Sequence, residues 1–396
     1  MSDALPLIIV GAGMAAYAVA REFRKLDKTT PLLLVSSDQA GSYAKPMLSN
    51  ALAMGKGAAQ LLSFSAEQMA ATLGATIVGG VTVSDIDSSA RTIGCSDGRT
   101  LAYRDLVLAL GATPIRLALA GDAAERVLSV NHLDDYAVLR QRLADLPGPA
   151  RVTILGAGLI GCEFADDLVA GGHQVTLIDP NARPLAALAA PALSDALVKA
   201  WAALPITLKM RTTASAVRRA EDGLVVELAD GSAVAADVVL SAVGLRPAIA
   251  LATAAGLATG RGIVVDQFGA TSAAGIYALG DCAEYSTDHG GTVLPYVAPL
   301  LLAARAIGAT LAGTPTPIVL KTDAVVVKTA SLKLALAPPP VGSTGSWVAV
   351  DDGERIVARF VDQAGIMRGF GLTLHTPALR SALMSELDKA HATALS

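Results

Sequence analysis

The chain has 396 residues and a net charge of −4, and 53% of its residues are hydrophobic, which is enough for large cores in two or three domains. The acidic balance excludes an extended basic surface, so we expect neither nucleic acid nor an anionic membrane as a partner. The sequence lacks an uninterrupted apolar run of about 18 residues, so we expect no membrane-spanning helix.

The cysteine pattern bounds the redox chemistry. Cys95, Cys162 and Cys282 lie far apart and form no CxxC or CxxxxC pair. This spacing argues against a disulfide scaffold, a zinc knuckle and a dithiol relay, and we expect no metal site. Unpaired cysteines are typical of the reducing cytoplasm, where we expect the protein to be located.

The first predicted elements form a β-α-β unit. A strand at 7–10 enters the turn GAGMAA, after which the sequence predicts a helix and a second strand, LLLV, at 32–35. The turn has the spacing GxGxxA: Gly11 permits the tight turn, Gly13 lets the backbone approach a pyrophosphate, and Ala16 keeps helix and strand close. The segment DLVLALGATP (105–114) is typical of a buried strand that ends in a glycine turn.

The same order of elements recurs further along the chain. It consists of a strand at 152–155, the glycines Gly156, Gly158 and Gly161, a helix through Ala170, a strand at 174–178 and the closing segment DVVLSAVGLRP at 237–247. Either glycine pattern alone is a weak signal, since glycine turns also occur for structural reasons. Because each unit is followed by a similar closing segment, the sequence predicts an internal duplication of a nucleotide-binding module.

The remaining segments complete the predicted elements. Alternating hydrophobic residues at 75–83, 91–94 and 224–228, with turn signals at Asp97-Gly98 and Asp230-Gly231, predict antiparallel flaps on each module. The stretch 294–313 predicts a long helix with Pro299 in its first turn, where proline is tolerated. Beyond Thr314, proline-rich junctions precede a shorter, strand-rich region.

We therefore predict an α/β fold with two Rossmann-like dinucleotide-binding domains and a small α+β C-terminal domain. The first domain is discontinuous, at 1–115 and 245–320. The second spans 116–244, and the C-terminal domain spans 321–396.

The segment TSAAGIYALGD (271–281) places Asp281 directly after an aliphatic strand. By itself, Asp281 could simply cap the following helix. Together with the first glycine turn, the segment resembles the pattern of two-dinucleotide flavoproteins, in which this aspartate hydrogen-bonds the ribityl chain of FAD.

Five segments share motifs with one enzyme class. They are SYAKPMLSN (42–50), GAGLIGCEFADDL (156–168), SAVGLRP (241–247), GIYALGDCAE (275–284) and VVVKTASLKLALAPPP (325–340). With these motifs, nearly the whole chain resembles the FAD- and pyridine-nucleotide-dependent oxidoreductases of the glutathione-reductase-like class, in its ferredoxin/rubredoxin reductase branch. The resemblance implies that the first module binds FAD and the second binds NADH.

The resemblance also implies individual contact residues. For FAD these are Gly11, Ala12, Gly13, Met14, Ser36, Ser37, Lys45, Val83, Glu163, Asp281, Val297 and Lys328. For NAD they are Gly156, Gly158, Gly161, Asp179 and Gly244. Relatives usually carry a glutamate for the adenosine ribose of FAD where this chain has SSD at 36–38, so that ribose partner stays open.

Asp179 ends the second strand of the second module, where a carboxylate can accept from the 2′-hydroxyl of NADH and repel the 2′-phosphate of NADPH. The nearby Arg183 could accommodate that phosphate, so strictness for NADH stays open.

Lys45 and Glu163 are the candidate catalytic residues. A fixed cation at Lys45 would favour the anionic reduced flavin, although Lys45 could also be a solvated loop residue. The resemblance places Glu163 against the flavin. Some relatives carry the partner lysine where this chain has Asn50, so we assign the pairing of Glu163 to Lys45. The helix that starts near Pro299 should direct its N-terminus at the flavin C2 carbonyl.

The resemblance implies hydride transfer from NADH to N5 of FAD, followed by two single-electron transfers to the iron of a docked rubredoxin, in the service of alkane hydroxylation or oxygen detoxification. Disulfide reductases of this class carry a CxxxxC motif or a cysteine near the position of Ser42, and this chain has neither, so no thiol relay is expected. Three alternatives stay open: a reductase of a ferredoxin or a nitric-oxide-consuming flavorubredoxin, an NADH oxidase, and a redox-switched FAD/NAD-binding scaffold.

Overall fold

The computed structural model describes residues 4–287, 290–320 and 323–394. The α-helices in chain order are α1 (Met14–Leu26), α2 (Ala58–Leu61), α3 (Ala66–Leu73), α4 (Leu133–Ala144), α5 (Leu159–Ala170), α6 (Pro191–Trp201), α7 (Ala250–Ala254), α8 (Val297–Leu311) and α9 (Pro377–Ala394). Single 3-10 turns lie at Lys45–Met47, Ala124–Arg126 and Gly280–Cys282.

The first eighteen strands are β1 (Leu7–Val10), β2 (Leu32–Val35), β3 (Ser42–Tyr43), β4 (Leu62–Phe64), β5 (Thr76–Val78), β6 (Val83–Asp87), β7 (Thr92–Cys95), β8 (Thr100–Ala102), β9 (Asp105–Leu108), β10 (Ala112–Pro114), β11 (Arg151–Leu155), β12 (Gln174–Asp179), β13 (Ile206–Met210), β14 (Ala214–Ala220), β15 (Gly223–Leu228), β16 (Ala233–Ala236), β17 (Val238–Ser241) and β18 (Leu245–Pro247). They are followed by β19 (Ile263–Val265), β20 (Ile276–Ala278), β21 (Ala283–Thr287), β22 (Gly290–Thr292), β23 (Val325–Val327), β24 (Leu334–Ala337), β25 (Gly345–Asp351), β26 (Ile356–Asp362) and β27 (Met367–Thr373).

The described residues form two compact units. The first contains 4–44, 62–113 and 245–320, and the second contains 45–61, 114–244 and 323–394. The segment 45–61 and the C-terminal region thus pack with the second module, whereas we predicted the former in the first domain and the latter as a separate domain. That the chain consists of three domains, each able to fold on its own, stays a prediction.

The first unit is built around a parallel sheet in the order β5-β2-β1-β9-β20, a doubly-wound arrangement. The segment 75–83 was predicted as part of an antiparallel flap, but this was wrong for β5. Ile77 pairs in parallel with Leu34, so β5 is the edge strand of the main sheet. An edge strand and a flap strand both have one exposed face, so the alternating pattern does not distinguish them. The flap itself consists of β6, β7 and β8.

The second unit repeats this design. Its parallel sheet has the order β13-β12-β11-β17, and its antiparallel flap is β14-β15-β16. The C-terminal region adds an antiparallel sheet in the order β23-β24-β27-β26-β25. A side-chain carbon on Gly371 of β27 would lie 2.4 Å from Cδ1 of Leu193 in α6, so this sheet packs tightly on the second module. The predicted fold class is confirmed.

The two modules share one turn geometry. Gly11 has φ +114°, and a Cβ added to it would lie 2.4 Å from the Ala109 carbonyl oxygen. Gly156 has φ +103°, and its added Cβ would lie 2.7 Å from the Ala242 carbonyl oxygen. In each module the glycine thus lies where the end of the first strand (β1 or β11) meets the loop that follows the neighbouring strand (β9 or β17), and no side chain fits there. This is the switch point at which α/β sheets bind ligands.

Within the described ranges, no helix combines the length and the apolar character that crossing a bilayer requires.

Gly161→Ala tests the packing of α5 on its strand. A Cβ at Gly161 would lie 1.9 Å from the Gly156 carbonyl oxygen, which is a backbone atom and not the end of a flexible side chain. We expect the variant to lose about 1–3 kcal/mol of stability, measured by urea unfolding. Gly158→Ala is the matched control, since its Cβ would meet nothing within 4 Å. Equal losses in the two variants would contradict this account of the glycine spacing.

Candidate functional site

The N-terminus of α1 is open to an anion. Gly13 precedes the helix, no side chain caps the first turn, and that turn contains no acidic residue. A Cβ on Gly13 would meet nothing within 4 Å, so there is free space in front of the helix. The first N–H groups and the helix dipole therefore fit a pyrophosphate, and the stretch from Gly11 through Ala12 to Met14 lies at this end.

The stretch after β2 also lies at the carboxyl edge of the first sheet. Ser36 is buried and its hydroxyl donates to Asp38 Oδ1 at 2.7 Å, while Ser37 beside it is exposed. The Val81 N–H donates to the Ser36 carbonyl at 2.9 Å, which brings the start of β6, at Val83, next to this stretch. The structure thus places Ser36, Ser37 and Val83 on one edge, and their contacts with FAD stay predictions.

Asp281 lies in the 3-10 turn that follows β20. The Cβ of a residue in place of Gly280 would lie 3.0 Å from the Ala15 Cβ, so this turn packs against the first turn of α1. Leu279 precedes the turn and Asp281 lies inside it, so the alternative of a simple helix cap is wrong. Val297 is the first residue of α8, as predicted for that helix N-terminus, and it is 41% exposed.

The N-terminus of α5 has the same open geometry as that of α1. Gly158 precedes the helix, and the first turn contains neither a side-chain cap nor an acidic residue. A Cβ on Gly158 would meet nothing within 4 Å, which leaves room for a second pyrophosphate at this end, whereas Gly156 and Gly161 lie in close backbone contacts that only glycine permits. Gly244 follows β17 with φ +110°, and its carbonyl accepts from the Ile115 N–H at 3.1 Å.

Asp179 is buried at the end of β12 and is oriented by two neighbours. Its Oδ2 accepts from the Ala157 N–H at 2.7 Å, and its Oδ1 accepts from the backbone N–H and the side-chain Nδ2 of Asn181, each at 2.8 Å. A carboxylate oxygen has two acceptor sites, so Oδ2 retains one for a ribose hydroxyl. Asn181 was not among the predicted site residues, because its role depends on the loop conformation.

Glu163 is the centre of a buried polar cluster in the second unit. Its side chain is 1% exposed, and it forms an ion pair with Lys328. Ser49 Oγ donates to Glu163 Oε2 at 2.5 Å, and the Lys328 N–H donates to Oε1 at 3.0 Å. Lys328 Nζ also donates to the Pro46 carbonyl at 2.7 Å and to Ser49 Oγ at 3.0 Å. Both carboxylate oxygens therefore have donors.

We predicted that Glu163 pairs with Lys45. In the structure Glu163 forms an ion pair with Lys328, and a pairing with Lys45 stays a prediction. Asn50 donates from Nδ2 to the Lys328 carbonyl at 2.7 Å. Asn50 thus helps to position Lys328, the residue whose ammonium group pairs with Glu163. Lys45 is half-buried in the turn just before Ser49, and its role beside the flavin stays a prediction.

Asp167, four residues after Glu163, tethers the segment 45–61 to α5. Its two oxygens accept from the Ala53 N–H at 2.8 Å and the Leu52 N–H at 3.1 Å. Burial raises the pKa of Asp167, and these two hydrogen bonds oppose the shift. The tether therefore holds the segment that carries Ser49.

Asp166 tethers the C-terminal region in the same way. It accepts from the Ala330 N–H at 2.8 Å, from the Trp201 indole at 3.0 Å, and from the Ser331 hydroxyl. Neither aspartate was among the predicted site residues. A signal was present, because acids at 163, 166 and 167 follow the i, i+3, i+4 spacing that places side chains on one helix face.

Lys328→Met tests the ion pair. The variant leaves the Glu163 carboxylate buried without its cation, and we expect a loss of about 3 kcal/mol, at the lower end of the range for buried pairs because Lys328 is 28% exposed. The double variant Lys328→Met/Glu163→Gln should recover most of the loss in urea unfolding. Arg218→Ala breaks an exposed pair and should cost less than about 1 kcal/mol. If the losses of unfolding free energy in the two single variants, Lys328→Met and Glu163→Gln, simply added up in the double variant, this would contradict the coupling.

The three cysteines are buried and free. Burial raises the pKa of the Cys162 thiol, raises that of Cys282 to about 11, and raises that of Cys95. Because the thiolate is the reactive form, we expect the native protein to react with a disulfide reagent at pH 8 much more slowly than the denatured protein. New reactive thiols after reduction by NADH would reveal a thiol relay and contradict this prediction.

Comparison with known protein families agrees with this geometry. Residues 5–300 match the family described as pyridine nucleotide-disulphide oxidoreductase. Residues 317–387 match the domain described as rubredoxin binding C-terminal domain. The first match covers both open helix N-termini, and the second covers the segment that contains Lys328.

Individual relatives cover almost the whole chain. The rubredoxin-NAD(+) reductase of Alcanivorax borkumensis is 43% identical over 383 residues, which are 96% of this chain and 98% of that protein. The nitric oxide reductase FlRd-NAD(+) reductase of Aeromonas salmonicida is 36% identical over 92% of each chain. The reductase in a crystal structure of the covalent putidaredoxin reductase-putidaredoxin complex is 25% identical, with a TM-score of 0.86 over 97% of this chain and 93% of that chain. The chain belongs to the pyridine nucleotide-disulphide oxidoreductase family.

Proposed function

We propose that the protein is a rubredoxin-NAD(+) reductase, which transfers electrons from NADH through FAD to the small iron protein rubredoxin. One observation carries this proposal: the chain that contains two open dinucleotide-binding helices also contains a region matching the rubredoxin-binding domain. The 43% identity to a rubredoxin-NAD(+) reductase over nearly both full chains supports the same acceptor.

The chain's own residues bind and orient. The N-termini of α1 and α5 would hold the two pyrophosphates, and Asp179, which accepts from the Ala157 N–H, would bind the adenosine ribose of NADH. Bound FAD supplies the change from a two-electron donor to one-electron steps. Lys45 and the Glu163–Lys328 pair would contribute fixed charges beside the bound flavin.

Electrons leave without a thiol intermediate in this proposal. Cys95, Cys162 and Cys282 are buried, and burial raises the pKa of each thiol. The three unpaired thiols also support a cytoplasmic location, which is part of this proposal.

The test is reduction of purified rubredoxin by the FAD-loaded protein and NADH, followed by the bleaching of oxidised rubredoxin. We expect reduction to be faster than that of an equal concentration of a ferredoxin. Rubredoxin reduction no faster than that of ferredoxin or ferricyanide would overturn the proposal. A high peroxide yield without any carrier would instead indicate an NADH oxidase, and tight NADH binding with slow turnover would indicate a redox-switched scaffold.

A second candidate is reduction of a flavorubredoxin, a protein that contains a rubredoxin-like domain. The 36% identity to a nitric oxide reductase FlRd-NAD(+) reductase over 92% of each chain supports it. Presenting both acceptors at equal iron concentration separates the candidates. A higher kcat/KM for the flavorubredoxin would favour this second function.

A further inference from the structure

The loop between β12 and α6 contains an arginine that is already paired. Arg183 Nε lies 2.7 Å from Oδ1 of Asp195, a residue of the second turn of α6. Their side chains are 44% and 59% exposed, so the pair lies at the protein surface. Neither residue has a role in the hydrogen bonds that support the sheet or the glycine turn.

The loop is anchored at both ends beside the expected cofactor ribose. At its start, Asp179 Oδ2 accepts from the Ala157 N–H at 2.7 Å. Two residues after Arg183, the Leu185 N–H donates to the Ala157 carbonyl at 2.8 Å. Leu185 is 1% exposed with φ +58°, so its place is fixed by packing. Arg183 therefore extends from a short, fixed loop next to the carboxylate that receives the ribose.

NADH and NADPH differ at this position by a phosphate on the adenosine ribose. A phosphate next to Asp179 is repelled by the carboxylate and needs a guanidinium to compensate. Arg183 is a suitable guanidinium, but Asp195 competes for it with a carboxylate of its own chain. The structure thus contains a cation, Arg183, that could bind the 2′-phosphate of NADPH, and an anion, Asp195, that is already paired with this cation.

We propose that Asp195 is a specificity-determining residue: its carboxylate holds Arg183 and so disfavours cofactors with a 2′-phosphate. The proposal rests on the proposed function, in which NADH is the donor. In this proposal, the preference for NADH over NADPH depends on two carboxylates: that of Asp179 and the surface-exposed one of Asp195. Since the pair is exposed, its influence falls as ionic strength rises.

A second cation borders the same loop. Arg211 is exposed with φ +64°, and its N–H donates to the Asn181 carbonyl at 3.0 Å. Arg211 is therefore a second side chain that could bind a 2′-phosphate, and the experiment has to distinguish it from Arg183.

The experiment uses the FAD-loaded protein with Asp195→Asn, a change of charge with almost no change of shape. Calorimetry measures the binding of ADP-ribose and of ADP-ribose 2′-phosphate, two probes without the nicotinamide. We expect ADP-ribose 2′-phosphate to bind to the Asp195→Asn variant about two- to five-fold more tightly than to the unmodified protein. This fold-change corresponds to the free energy of one exposed ion pair. The ratio of kcat/KM for NADPH to that for NADH, with ferricyanide as acceptor, should rise by the same factor.

The control is Glu227→Gln, which neutralises the carboxylate of another exposed pair in the same unit, Arg218–Glu227, also at 2.7 Å. It should leave both ratios unchanged. Asp195→Asn/Arg183→Ala should lose the gain, whereas Asp195→Asn/Arg211→Ala should keep it. Raising the salt concentration should reduce the gain.

An unchanged ratio in Asp195→Asn would overturn the proposal, as would an equal gain in Glu227→Gln or a gain that depends on Arg211 alone. These outcomes do not involve rubredoxin. A protein that fails to reduce rubredoxin but shows the Asp195 effect would disprove the proposed acceptor and leave this inference standing.

Discussion

The burial of the Glu163 carboxylate is the constraint on which the second unit depends. A carboxylate that is 1% exposed is stable only if a cation and hydrogen-bond donors replace its water. None of these partners is close in sequence: Ser49 comes from a segment before the second module, and Lys328 comes from the C-terminal region. The chain must therefore bring three remote segments together before this charge is satisfied.

The helix α5 separates two electrostatic tasks along its length. Its N-terminus has neither a cap nor an acid, so the positive end of its dipole is available to a phosphate. The acids at 163, 166 and 167 begin one turn later on one face, where backbone and side-chain donors of the protein satisfy them. Phosphate binding and carboxylate burial therefore do not compete on the same helix.

The tethers of α5 also give the C-terminal region a second role. Residues 317–387 match a rubredoxin-binding domain, and Lys328, which neutralises Glu163, belongs to this region. Asn50 holds the Lys328 carbonyl, so the electrostatics of Glu163 depend on how the C-terminal region packs.

Local patterns determined much of what could be read directly from the residues. The two glycine turns with their strands and helices follow from spacing, since the positive φ at Gly11 and Gly156 favours glycine whatever distant residue lies opposite it. The tertiary structure decided the rest: the strand β5 joined the main sheet, Lys328 paired with Glu163, and Asp195 paired with Arg183. Each of these outcomes depends on which distant surface lies opposite a residue. A linear pattern shows that a carboxylate or a strand edge needs a partner, but only the packed chain decides which residue provides it.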